Sequence, residues 1–263
     1  MIIISIGNLK GGVGKSFTAA QMGYQLTQKH DATALLLEND KQGNLAKFFG
    51  TYNRNGICPA AKLLMGLNTA EEVIQETDYP GLDIISANMS LLTASMDLQQ
   101  DMTEEQCRRF ESLKYAVNKK GRPYDYVIID NPPDIGLNVI NALAITNDVI
   151  VPIKIDQWAL EGMDIMTGQI SQMKAINPDI RFMGALVTMY KNNVTNAAGV
   201  EWLKKHDVKL FDTFIRYSDK AAESTLFQKP IQEYSPRSGT ARSYRQFVQE
   251  YIEKIELERL LEV

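Results

Sequence analysis

Cysteine is scarce in this chain: its 263 residues hold two, Cys58 and Cys107. Two cysteines build no disulfide framework, and no CxxC pair occurs. The two histidines, His30 and His206, lie far apart, which argues against a structural zinc site and for a reducing compartment. No stretch approaches the ~20 apolar residues that a membrane-spanning helix needs. The opening residues, Met1-Ile2-Ile3-Ile4-Ser5-Ile6-Gly7, lack the basic start and longer apolar core of a signal peptide, so a cytoplasmic location is expected. Net charge is small, with 28 Lys+Arg against 32 Asp+Glu leaving −4, and gives no global reason to expect nucleic acid. Internal repeats, low-complexity tracts and linkers rich in Pro, Gly or Ser are missing, so a single domain over 1–263 is the simplest organisation. A content of 44% hydrophobic residues argues against disorder.

What the sequence does contain is an alternation of short apolar runs with longer amphipathic ones. Ile2–Ile6, Thr33–Glu38, Leu82–Ser86, Tyr126–Asp130, Asp148–Ile153, Phe182–Thr188 and Val208–Ile215 read as strands. Most are continuously apolar, as in parallel strands covered by helices on both faces. Helical patterns cover Lys15–Lys29, Leu160–Ile176 and Ala197–Lys205. Thr69-Ala70-Glu71-Glu72 and Thr103-Glu104-Glu105-Gln106 are capping boxes that start two more helices. The expected fold is α/β, a doubly wound, mostly parallel sheet with helices on both faces. A last helix is expected from Thr240 to Leu261. Its Tyr244, Phe247, Val248, Tyr251, Ile252 and Ile255 share one face. That face is expected to dock on the core. Glu250 to Val263 holds five glutamates and only two basic residues, Lys254 and Arg259, a balance that an anionic bilayer repels.

Between the first strand and the first helix lies Asn8-Leu9-Lys10-Gly11-Gly12-Val13-Gly14-Lys15-Ser16. Glycines permit positive φ and close approach of N–H groups to oxygen, and the helix start adds partial positive charge. The strand, glycine-rich turn and helix form a phosphate cradle. Lys15 would reach the β- and γ-phosphates, and the Ser16 hydroxyl would ligate Mg²⁺. Leu9 stands where the usual pattern GxxxxGK[ST] has its first glycine. Glu38-Asn39-Asp40-Lys41-Gln42-Gly43-Asn44 follows the second strand, where Asp40 would orient the attacking water and help hold the metal. Tyr126–Asp130 ends in an aspartate positioned to hold Mg²⁺, followed by the stiff Asn131-Pro132-Pro133.

The extra lysine, Lys10, completes KGGxGK[ST], the deviant Walker A pattern, and the chain resembles the ParA/MinD group of P-loop ATPases. Asp40, Gln42, Gly43 and Asn44 match that group's DxDPQGN, with Glu38 for aspartate and Lys41 for proline. Asn131 replaces threonine in its DTPP. Val151-Pro152-Ile153, Trp158-Ala159-Leu160-Glu161-Gly162, Pro230-Ile231, Tyr234-Ser235-Pro236 and Ser243-Tyr244 extend the likeness over nearly the whole chain, with little signature from Asn53 to Arg122. The tail places the chain nearer ParA than MinD. The resemblance implies an Mg²⁺-dependent ATPase with Lys10, Gly11, Gly12, Val13, Gly14, Lys15, Ser16 and Phe17 at the nucleotide. It implies Lys10, Lys15 and Asp40 as catalytic residues and Ser16, Asp40 and Asp130 at the metal. Lys10 would cross to the partner subunit's phosphates in a homodimer around two ATP molecules.

The resemblance further implies DNA partition. The ATP dimer would bind DNA without sequence preference, on the nucleoid, until a ParB-type partner stimulates hydrolysis. Because the phosphate loop lies at the start, no added helix-turn-helix domain is expected. Arg216 to Arg245 carries six basic against three acidic residues in a chain of net −4. Arg216, Lys220, Arg242 and Arg245 are therefore the candidate DNA contacts. Thr188-Met189-Tyr190 falls where the family places base contacts. A relative that positions another cargo or serves a conjugative element would share these motifs. A MinD-like protein would need a basic amphipathic tail, an iron-protein relative a cysteine after Asp130, and a bacterial tyrosine kinase a tyrosine-rich tail; none is present in the sequence.

Overall fold

The computed structural model describes residues 1–99, 103, 105–156 and 159–261. Seven strands form one sheet: β1 (Ile2–Ile6), β2 (Ala34–Glu38), β3 (Gln75–Glu76), β4 (Leu82–Ile85), β5 (Tyr126–Asp130), β6 (Asp148–Lys154) and β7 (Arg181–Thr188). Their order is β3-β4-β2-β5-β1-β6-β7, with every pairing parallel except β3 on β4. The helices are α1 (Lys15–Lys29), α2 (Asn44–Phe48), α3 (Pro59–Leu64), α4 (Ala70–Val73), α5 (Ser90–Gln99), α6 (Leu137–Ile145), α7 (Ala159–Met173), α8 (Val194–Lys205), α9 (Asp219–Leu226), α10 (Ile231–Tyr234) and α11 (Gly239–Leu261).

Strand parity assigns the layers. Ile2, Ile4 and Ile6 of β1 join one apolar cluster with α1 and α11, whereas Ile3 joins another with α3, α5 and α6. A third cluster packs α6, α7 and α8 against β6 and β7. Side chains alternate across a strand, so both faces of β1 are covered, and its run of isoleucines follows. Tyr244, Phe247, Val248, Tyr251 and Ile255 are buried as the helical period requires. The Tyr251 hydroxyl donates to Asp148 Oδ2 at 2.6 Å. Arg181 pairs with both Asp148 and Glu258, so the last helix is tied to β6 and β7.

Two strand expectations need correction. Val208–Ile215 is not a ladder strand; it touches β7 through the Ala185–Leu210 bridge. Glu250 on α11 accepts from Asp212 N and Thr213 N at 2.8 and 2.9 Å, and these bonds draw the chain off the sheet edge. The antiparallel β3 is an addition to the expected strands, because two residues are too few to show a period. Both capping boxes form, but Thr69 starts only the one-turn α4, and Thr103 with Gln106 opens a 3₁₀ turn over Glu105–Arg108. Glu104 and Trp158 lie outside the described residues.

Candidate active site

The carboxyl ends of β1, β2 and β5 meet beneath the phosphate loop. Glu38 and Ile6 both pair in register with Asp130. Gly12 and Gly14 have φ of 72° and 87°, and a Cβ at either would find nothing within 4 Å. The loop is therefore open on that side, with α1 starting at Lys15 without a side-chain cap or an acidic residue in its first turn. Free N–H groups at such a start suit an anion.

Other residues hold this loop in place. Asn8 Nδ2 donates to Pro152 O at 2.8 Å, and Asn8 Oδ1 accepts from Lys10 N at 2.9 Å. The Thr188 hydroxyl donates to Val13 O at 2.8 Å. Lys15 is buried and folds back across the loop, donating to Lys10 O at 3.0 Å. Burial lowers its pKa, opposed by Asp130, Asp40 and Asp134. Lys10 points elsewhere, in an ion pair with Asp156. Phe17 packs edge-on against Tyr244, with ring centroids 5.6 Å apart.

Asp130 is fully buried, and among the described residues neither of its carboxylate oxygens has a hydrogen-bond partner. Its pKa is pushed up to about 7, chiefly by burial. The nearby Ser16 hydroxyl opposes the rise, Asp40 adds to it, and Lys15 opposes it. A buried carboxylate without donors, close to a hydroxyl and a second carboxylate, fits a hydrated Mg²⁺. Among the described residues no group of three or more His, Cys, Asp and Glu forms a metal cage.

Asp40 is buried at the start of a tight turn, where its Oδ1 accepts from Gln42 N at 2.9 Å. Gly43 continues the turn with φ of 69°, and a Cβ there would lie 2.4 Å from the Tyr52 ring. Glu38 lies on the same sheet face as Asp130 but is engaged elsewhere. Its carboxylate accepts from Leu45 N, Ala46 N and Ala87 N at 2.6, 3.2 and 3.1 Å, anchoring the start of α2. Burial nevertheless raises its pKa to about 8, with Asp130 contributing to the rise. Lys41 reaches Asp134 at 3.0 Å, so the loop that lost its proline is tied down by an ion pair.

Lys15, Ser16, Asp40 and Asp130 are thus brought together, while Lys10 is turned to Asp156. Thr188, Met189, Arg216, Tyr217 and Tyr244 line a largely apolar cleft of about 260 Å³ beside Gly14 and Phe17. Arg216 is exposed and packs on Gly239 at the start of α11, which also carries Arg242 and Arg245. Lys220 is set apart, its ammonium held by Glu223 at 2.7 Å. The supporting roles of Asn8 and Thr188 escape the sequence reading. A signal for Asn8 exists, since Asn commonly bonds to backbone two residues on. Thr188 carries no local signal, because its partner Val13 is remote in sequence.

A family profile described as an AAA domain matches residues 1–182. The sporulation initiation inhibitor protein Soj of Bacillus subtilis is 32% identical, over 94% of this chain and 97% of its own. The chromosome partitioning protein ParA of Caulobacter vibrioides is 28% identical, over 96% and 94%. Among solved structures, a cobyrinic acid a,c-diamide synthase from Mycobacterium smegmatis superposes with a TM-score of 0.81 at 25% identity, covering 97% of this chain and 96% of its own. That protein was solved with ADP and magnesium and with an ATP analog and magnesium. By fold, phosphate loop and full-length likeness, the chain belongs to the ParA-type ATPases of the ParA/MinD superfamily.

Proposed function

We propose that this chain is an Mg²⁺-dependent ATPase of DNA partition whose ATP-bound homodimer holds DNA non-specifically. The observation that carries the site chemistry is the orphaned Asp130 carboxylate below an open phosphate loop. Backbone N–H groups of Gly11 to Ser16, with Val13 and Phe17 shaping the loop, would cradle the phosphates of ATP, and Lys15 would contact the β- and γ-phosphates. The apolar cleft beside Phe17 would take the base. Bound through Ser16 and Asp130, with Asp40 close by, Mg²⁺ would neutralise charge developing on the phosphate oxygens. Asp40 would orient the attacking water and accept its proton as the bond to ADP breaks.

Lys10 would leave Asp156 and reach the partner subunit's phosphates. Two ATP tails concentrate negative charge at an interface, and a lysine from each side offsets it. Arg216, Arg242 and Arg245 would meet DNA phosphates, with Lys220 joining them on release from Glu223. Exposed ion pairs of that kind are worth little, so Lys220 stays available. A ParB-type partner would stimulate hydrolysis and release the DNA. Two observations weigh against membrane attachment: the apolar face of α11 is engaged in the core, and no described helix is long and apolar enough to cross a membrane.

The test is DNA binding with ATP, ADP or no nucleotide at two salt concentrations, using Asp40→Ala to prolong the ATP state. ATP-dependent, salt-sensitive, sequence-indifferent binding is expected. ATP dimers that bind no DNA in any state would shift the reading to a relative that positions another cargo.

A further inference from the structure

The two loops that carry Asp40 and Asp130 are joined by a buried cluster of three asparagines. Asn39 precedes Asp40 and Asn131 follows Asp130. Asn39 Nδ2 donates to Asn131 Oδ1 at 2.9 Å and to Asn138 O at 3.1 Å. Asn138, in the first turn of α6, returns the contact, its Nδ2 donating to Asn39 O at 2.9 Å and to Asn39 Oδ1 at 3.2 Å. All three side chains are buried. The backbone adds Asn39 N donating to Asp130 O at 2.9 Å, and the surface adds the Lys41–Asp134 pair. Asn131 also faces the entry to the phosphate loop: a Cβ on Gly7 would lie 3.9 Å from its Nδ2.

Buried amides need partners, and removing one member leaves the others unsatisfied. A connected set of this kind has few alternative arrangements. It spans the end of β2, the end of β5 and the start of α6. Its side-chain bonds run among the three asparagines and their backbone, beside the two carboxylates and not to them.

We propose that Asn131, working with Asn39 and Asn138, is a positioning residue that fixes Asp40 relative to Asp130 and makes the two loops move as one unit. The inference rests on the ATPase reading for its kinetic consequence, but the coupling itself is a property of the nucleotide-free chain. The asparagine at position 131, where the family pattern has threonine, is matched here by an amide donor at position 39, a position that pattern leaves open.

The experiment uses the full chain with Asn131→Leu, close in volume but without hydrogen bonds, and Asn131→Thr, which restores an acceptor. Two readouts are needed: steady-state ATPase kinetics with Mg²⁺, and hydrogen exchange of the nucleotide-free protein over residues 38–46. Asn131→Leu is expected to lower kcat about tenfold or more with KM for ATP held within about threefold, the pattern of lost alignment, not lost binding. Exchange over 38–46 should accelerate in the same variant. Asn131→Thr should recover both readouts to within about threefold of the parent.

Unchanged kcat in Asn131→Leu, or lost kcat with unchanged exchange over 38–46, would overturn the proposal. So would a threonine variant as impaired as the leucine one. If the parent chain hydrolyses no ATP, the ATPase reading falls and the exchange measurement alone decides the coupling. If Asn131→Leu does not fold, Asn138→Ala, which removes the donors to Asn39, is read by the same criteria.

Discussion

Lys10 and Lys15 lie five residues apart on one loop and face different partners. Lys15 is buried over its own loop, while Lys10 is half-exposed and paired with Asp156. Removing Lys10 should therefore spare nucleotide binding by the monomer. Lys10→Ala is expected to impair ATP-driven dimerisation in sedimentation with ATP affinity nearly unchanged; normal ATP dimers would remove the cross-subunit role. The Asp40 carboxylate bonds within its own turn, to Gln42 N. Asp40→Ala should therefore fold and bind ATP yet turn it over at least about 100-fold more slowly, the usual scale for a general base. Unchanged turnover would take Asp40 out of the chemistry. The phosphate loop was legible because glycine, lysine and serine in register between a strand and a helix have a specific geometry. Glu38 was not: it shares the sheet face of Asp130 and its type fits a metal ligand, but its carboxylate is taken up by backbone N–H groups at the start of α2.

Elements were legible where a period repeats. Lys15–Lys29 and the buried face of α11 follow from 3.6-residue spacing, and β1 and β5 from unbroken apolar runs. Short elements held by remote contacts were not. α3 is capped by Cys58, whose sulfur accepts from Ala61 N at 3.4 Å, and the start of α2 is held by Glu38. Between strands, the Tyr124 hydroxyl donates to Asp83 Oδ2 at 2.5 Å, linking β4 to the entry of β5. Burial raises the Asp83 pKa despite that bond. The native chain then keeps a proton that the unfolded chain gives up. The stabilisation is complete below the unfolded value of 3.8 and is lost as pH rises through the native one. Asp83→Asn, which keeps an acceptor for Tyr124, removes this slope. Its Tm minus that of the parent should increase from acid to neutral pH; a difference independent of pH would show that Asp83 does not titrate this way.

At the scale of the molecule, the basic residues predicted from one segment divide into sites. Arg216 stands on the rim of the apolar cleft, Arg242 and Arg245 extend along α11, and Lys220 is offset by Glu223. Arg242→Glu and Arg216→Glu should each weaken DNA binding and reduce its salt slope by about one, since each phosphate contact contributes roughly that much. ATP affinity is the control: loss of ATP binding in Arg216→Glu would place Arg216 in the nucleotide cleft. The sheet order also governs how the chain is made. β1 lies between β5 and β6, so Ile2 pairs with Tyr126 and Ile4 with Asp148. The strand that precedes the phosphate loop waits for neighbours more than a hundred residues downstream. At about 5–20 residues per second, synthesis leaves it unpaired for on the order of ten seconds. Ribosome-bound chains halted before Tyr126 should bind no ATP and should be cut readily by protease near Ile2–Ile6, whereas chains extended beyond Thr188 should resist. An interior strand made long before its neighbours thus first exists with both edges open, the kind of exposure that chaperones answer.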